Sequence, residues 1–193
     1  MIKQVFILLS FVTLCSCNQN KDNNEIESQV VTSDSIQQND SINNGTKSLV
    51  KAPGFNFLDV HQKKYSLDDF KGNYIYIDAW ATWCGPCLKQ IPYMKQLEEK
   101  YKDAPIKFVS ISLDAESDKD KWQKFVVENQ MSGIQLFGSD KAQFAIDYQI
   151  EYIPRFILID KEGNLMMEDA PAPMSNDGNG INTDLVATLD KLK

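Results

Sequence analysis

Apolar positions recur along this chain with two different periods. Residues 73–80, NYIYIDAW, form a short, nearly unbroken apolar and aromatic run, which predicts a buried strand. From Cys87 the period changes. In CLKQIPYMKQLEEKY, residues Leu88, Ile91, Met94 and Leu97 fall on one face at helical spacing. A strand therefore runs into a helix, and Pro92 inside that helix predicts a kink. The remaining runs predict a hairpin over Phe55–Leu67, a strand over Ile106–Leu113 and a helix over Asp118–Asn129, capped by Ser117 and Asp120. A short strand at Ile134–Phe137 and a helix from Asp140 to Tyr148 follow. Phe156–Asp160 and Leu165–Glu168 read as a hairpin around Lys161-Glu162-Gly163-Asn164, and a helix starts near Ile181. This order predicts an α/β fold, a central mixed sheet with helices on both faces. The acidic run Asp114–Asp120 reads as a solvated helix start, and the Pro/Gly/Asn-rich stretch from Ala170 as an inert loop.

Two N-terminal segments fall outside this pattern. An apolar run from Val5 to Leu14 follows a single early lysine. As a helix it would measure roughly 15 Å, half of a ~30 Å hydrocarbon core, so it reads as a secretory signal. Its end, Leu14-Cys15-Ser16-Cys17, resembles the bacterial lipoprotein box, which implies that Cys17 is acylated and becomes the new N-terminus. Cys17 fits better than Cys15 because the residue before it is small. Residues 18–48 are dominated by Asn, Ser, Gln and Asp without apolar period. They predict a disordered tether with a typical reach of roughly 30 Å. The expected organisation is a signal peptide over 1–17, a tether over 18–48 and one folded domain over 49–193.

Composition narrows the function classes. The 193 residues are 42% hydrophobic and carry a formal net charge of −7. An acidic chain without a long basic run argues against nucleic acid. With Cys15 removed and Cys17 lipidated, Cys84 and Cys87 are the remaining thiols. A zinc site needs a second pair, and the lone histidine, His61, stands in no pattern with them. No metal or cofactor is expected. A structural staple over two intervening residues removes little chain entropy. A redox pair is the remaining reading. Cys84 falls at the expected helix N-terminus, where unpaired N–H groups and the dipole favour a thiolate. Cys87 lies one turn further in on the same side, and Pro86 suits the first turn.

Trp83-Cys84-Gly85-Pro86-Cys87 is identical to the thioredoxin active-site motif, with Asp78 six residues before Cys84 and Pro92 where thioredoxin's helix has its proline. Residues from Val50 to Lys193 resemble the extracytoplasmic TlpA/ResA branch of that family. SLDDFKG before the central strand, KFVSISLDAE and EYIPRFILIDKEGNL carry this likeness. The resemblance implies a thioredoxin fold with an N-terminal hairpin extension and an α/β insertion before a cis-proline at Pro154. It also implies roles: Cys84 attacks a substrate disulfide from the exposed end of the helix, Cys87 resolves the mixed disulfide, and Asp78 relays a proton beneath them. Trp83, Gly85, Pro86, Ile153 and Pro154 would border the substrate, with Ile153 offering backbone groups to it. The chain also departs from the pattern. Tyr152 stands where many relatives have glycine, Arg155 places a cation near the groove, and no lysine follows Lys107 within its strand to pair with Asp78.

The Gly-Pro pair between the cysteines favours a reductant of exported proteins, such as apocytochrome c, re-reduced by a membrane-embedded electron donor. The domain would be a lipid-anchored monomer in the periplasm. An envelope oxidase or isomerase would use the same two cysteines. A peroxiredoxin-like peroxidase needs Thr-x-x-Cys, which Thr82-Trp83-Cys84 does not supply, and the intact motif argues against a non-catalytic binding module. Replacing Cys17 with Ser is expected to move the protein from the membrane to the soluble fraction; retention at the membrane in that variant would refute the lipid anchor.

Overall fold

The computed structural model describes residues 50–139 and 143–193. The expected signal peptide, Cys17 and the tether lie outside the described residues, as does the start of the helix expected from Asp140.

Among the described residues, seven strands make one sheet: β1 (Asn56–Asp59), β2 (Lys64–Ser66), β3 (Tyr74–Trp80), β4 (Ile106–Ser112), β5 (Ile134–Phe137), β6 (Arg155–Ile159) and β7 (Leu165–Met167). Five helices among the same residues accompany them: α1 (Gly85–Leu88), α2 (Ile91–Lys100), α3 (Lys119–Glu128), α4 (Gln143–Asp147) and α5 (Thr183–Asp190). The strand order is β2-β1-β5-β4-β3-β6-β7. β3, β4 and β5 are parallel neighbours, whereas β1, β2, β6 and β7 pair antiparallel. The β6–β7 hairpin turns at Gly163, whose φ of +80° is open to glycine at no steric cost.

The central strand is apolar on both sides because both sides are covered. Ile75, Ile77 and Ala79 join Val109, Ile111, Leu136 and Phe144 of α4 on one face. Tyr76 and Phe108 on the other face pack on Met94 and Leu97 of α2 and Leu185 and Leu189 of α5. Further along that face, Trp80 and Phe137 meet Trp122 and Val126 of α3 together with both cysteines. The result is the expected mixed sheet with helices on both faces.

Three local expectations need correction. The helix from Cys87 is two helices, interrupted at Lys89–Gln90 and so upstream of Pro92 rather than kinked at it. Pro92 has no N–H for the Leu88 carbonyl, and its ring crowds that carbonyl. The Gln90 N–H turns back to Cys87 O at 2.9 Å instead, and Pro92 takes the second position of α2. Secondly, neither Ser117 nor Asp120 caps α3. The chain enters through a 3-10 turn at Glu116–Asp118, with the Asp118 N–H donating to Ala115 O at 2.8 Å. Thirdly, Asp114 is not part of a solvated helix start; it is fully buried.

The loop from Ala170 is fastened to the domain rather than loose. Tyr76 Oη donates to Pro171 O at 2.6 Å, Tyr93 Oη to Gly178 O at 2.9 Å, and the Met174 N–H to Gln90 Oε1 at 2.9 Å. Gln90 holds this loop from the break between α1 and α2.

Candidate active site

β3 ends at Trp80, and the chain crosses Ala81–Trp83 before entering α1. The crossing is held by Asp114, which lies just past the end of the neighbouring β4. Its carboxylate accepts the Thr82 N–H (3.2 and 3.0 Å), the Thr82 hydroxyl (2.6 Å) and the Ser112 hydroxyl (2.7 Å). A buried carboxylate is tolerable only with such donors around it. They fix the backbone that precedes the cysteines.

Cys84 caps α1, and Cys87 lies in its first turn. The two form a disulfide with Cα atoms 5.2 Å apart. The Cys87 N–H points at Cys84 Sγ from 3.2 Å, so an N-terminal helix donor faces the sulfur that would carry charge once reduced. Pro86 spends none of these donors. In the disulfide form both residues are buried, Cys84 at 4% exposed and Cys87 at 2%. The Ile153 carbonyl lies 3.8 Å from Cys84 Sγ. The Ile153–Pro154 peptide is cis. Trp83 is 63% exposed, and Gly85 and Pro86 are exposed beside it, so they rim the pair. Tyr152 also faces solvent. Arg155 does not offer the groove a free cation: its guanidinium lies 4.5 Å from the Tyr152 ring centroid, and one of its nitrogens is 3.2 Å from Asp169.

Asp78 occupies the same face of β3 as Tyr76 and Trp80, between the cluster of α2 and α5 and the cluster holding the cysteines. Register brings polar partners to it. Asp78 lies opposite Ser110 on β4, and Ser110 opposite Gln135 on β5. All three are buried, forming a polar row across three strands. Burial pushes the Asp78 carboxyl up to about 7. The nearby Glu98 charge adds to this, and a hydrogen bond from Ser110 opposes it.

Residues 47–184 match the Redoxin family, and that span is most of the chain. The chain belongs to the redoxin family. Among curated relatives, ResA, a thiol-disulfide oxidoreductase of Bacillus thuringiensis subsp. konkukian, is 34% identical over 126 residues, covering 61% of this chain and 66% of its own. The ResA of Bacillus subtilis is 30% identical over 120 residues, 60% of this chain and 63% of its own. The chain thus spans just under two thirds of these relatives' length. Solved structures are similar over a longer stretch. A candidate thiol-disulfide oxidoreductase from Bacteroides vulgatus is 33% identical with a TM-score of 0.63, covering 76% of this chain and 99% of its own. The thioredoxin domain of a second oxidoreductase from that organism is 26% identical, with a TM-score of 0.60 over 74% of this chain and 96% of its own. This redoxin has a thioredoxin-like fold and a TlpA/ResA-like sequence, and Cys84 and Cys87 stand at CxxC spacing within it.

Sequence reasoning missed Asp114, Ser110, Gln135 and Glu98. Glu98 had a visible signal: it falls on the buried stripe of α2, seven residues after Ile91, where a charge is out of place. The other three had no local signal, because their roles come from strand register.

The Asp78 environment predicts a pH-dependent stability. Below about pH 4 the carboxyl is protonated folded or unfolded, so burial costs nothing extra. The cost grows as pH rises through about 7, where the folded protein finally releases the proton. Asp78→Asn is therefore expected to gain stability over the wild type between pH 4 and pH 8, by on the order of 4 kcal/mol. Urea unfolding at the two pH values measures it, and an equal difference at both would contradict the assigned burial.

Proposed function

We propose that this redoxin is an envelope thiol–disulfide oxidoreductase that reduces disulfides in exported proteins, apocytochrome c among them. The observation that carries the reading is the cysteine pair at the start of α1, with a helix N–H and the Ile153 carbonyl meeting at Cys84 Sγ.

In the dithiol form Cys84 is the nucleophile. Its thiolate attacks one sulfur of the substrate disulfide. An S–S bond forms between Cys84 and substrate, the substrate S–S bond breaks, and the first substrate thiolate leaves to take a proton from water. Asp78 then accepts the Cys87 proton, directly or across water, as the Cys87 sulfur attacks Cys84. The Cys84–Cys87 bond forms, and the second substrate thiolate leaves and is protonated. Two electrons pass from the enzyme dithiol to the substrate, and a membrane-embedded donor returns them. Backbone groups of Ile153 pair with an extended substrate segment in the manner of an added strand. Trp83 and Tyr152 supply apolar contact at the rim. The lipid on Cys17 and the tether over 18–48 keep the domain over 49–193, a monomer, near the membrane.

A trapping experiment tests the order of the two thiols. Cys87→Ser is expected to attack but not resolve, so mixed disulfides with substrate proteins accumulate on non-reducing gels and can be identified. Cys84→Ser is expected to lose both attack and trapping. Trapping that requires Cys87 instead would reverse the assigned roles.

A further inference from the structure

Asp78 does not stand alone beneath the active-site helix. Asp78, Glu98, Lys95, Ser110, Ser132 and Gln135 line one small cavity together with Ile91 and Met94 of α2 and Met131. Among the described residues, three oxygens of this group are buried without a hydrogen-bond partner: Asp78 Oδ1, Glu98 Oε2 and Gln135 Oε1. The Gln135 amide is oriented by its Nε2, which donates to Ser132 O at 2.6 Å, and Oε1 is the atom left without a partner. Glu98 is pressed against Gly133, where a Cβ would lie 2.6 Å from Glu98 Oε1.

Three acceptors facing one slot set a requirement on hydrogens. The cavity volume is about 10 Å³, roughly what one water occupies by this measure. One water brings two hydrogens. The Ser110 and Ser132 hydroxyls serve Asp78 and Glu98, yet Asp78 Oδ1, Glu98 Oε2 and Gln135 Oε1 are still left without a donor, and a proton kept by one carboxyl supplies one. Two carboxylates sharing a slot resist ionising together for the same reason that like charges repel.

We propose that Glu98 is a positioning residue for Asp78, the two carboxyls sharing one proton across a water-sized slot and so setting the strength of Asp78 as proton acceptor for Cys87. This rests on the reading of Asp78 given above and adds a second acid to it. The charged groups facing the slot are Asp78 from β3 and Glu98 and Lys95 from α2; Tyr76 lies two residues from Asp78 on the same strand face, its hydroxyl committed to Pro171 O. Burial raises Glu98 as it does Asp78, and a hydrogen bond from Ser132 and then the Lys95 ammonium work against it. When Asp78 takes the Cys87 proton, the pair gains one proton, and the excess is released to solvent along the Glu98 side.

Carboxyl ¹³C NMR titration of the disulfide form tests this, because neither cysteine titrates there and Asp78→Asn identifies the Asp78 signal. In the wild type Asp78 is expected to titrate near neutrality. Glu98→Gln removes the like charge and should lower its midpoint by about one pH unit. Lys95→Met removes the cation that opposes the Glu98 shift and should raise the Glu98 midpoint. In the dithiol form Glu98→Gln should lower the pH midpoint of mixed-disulfide resolution as well, which a merely structural role for Glu98 would not produce. If Asp78 still titrates near neutrality but Glu98→Gln does not move it, the role of Glu98 is overturned while that of Asp78 stands. If Asp78 titrates near pH 4 in the wild type, both fall.

Discussion

The parallel ladder between β3 and β4 is the constraint from which the site follows. Seven consecutive residue pairs, from Tyr74 opposite Ile106 to Trp80 opposite Ser112, lock the two strands in one register. Because side chains alternate, a slip of one residue would turn every side chain to the other face. The register fixes two things at once. It sets Asp78 beside Ser110 within the covered face, and it ends both strands together, so that Asp114 after β4 meets Thr82 after β3. The depth of the acid and the place of the cysteines are consequences of the same ladder.

The two buried aspartates show how differently one side chain can be used. Asp114 is surrounded by donors: a backbone N–H and two hydroxyls converge on its oxygens. That arrangement satisfies its oxygens and makes a rigid joint. Asp78 lies in the same sheet with one oxygen unpartnered and a second carboxyl nearby. That arrangement penalises negative charge and so costs stability at neutral pH. A carboxyl poised near 7 can both take and give a proton where an ordinary one is already ionised. The helix N–H directed at Cys84 Sγ favours charge on that sulfur in the dithiol form.

Much of this was legible in the sequence, for physical reasons that also explain what was not. The buried run ending at Trp80 and the helical stripe after Cys87 are strong periodic signals, and the strand at Ile134–Phe137 has the expected bounds. The cysteine pair declares itself by its spacing and by the Trp83-Cys84-Gly85-Pro86-Cys87 motif around it. Asp114 was hidden because it opens an acidic run whose later members Glu116 and Asp120 are exposed. Nothing local says that its partner is Thr82, 32 residues away. The row Asp78–Ser110–Gln135 needs the register of three strands, which no single segment carries. The break before Pro92 was expected as a kink. The proline was read correctly as a defect, but the defect falls on the carbonyl four residues earlier, and Gln90 then uses the gap to hold the loop at Met174.

The central claim is that this buried, acid-supported cysteine pair donates electrons to substrates rather than withdrawing them. Its equilibrium potential tests that most directly. The purified domain would be equilibrated with graded dithiothreitol and glutathione buffers, and its dithiol fraction read by alkylation. The account predicts a midpoint close to that of thioredoxin, about −270 mV. A midpoint near that of DsbA, about −120 mV, would contradict it and make the protein an oxidase.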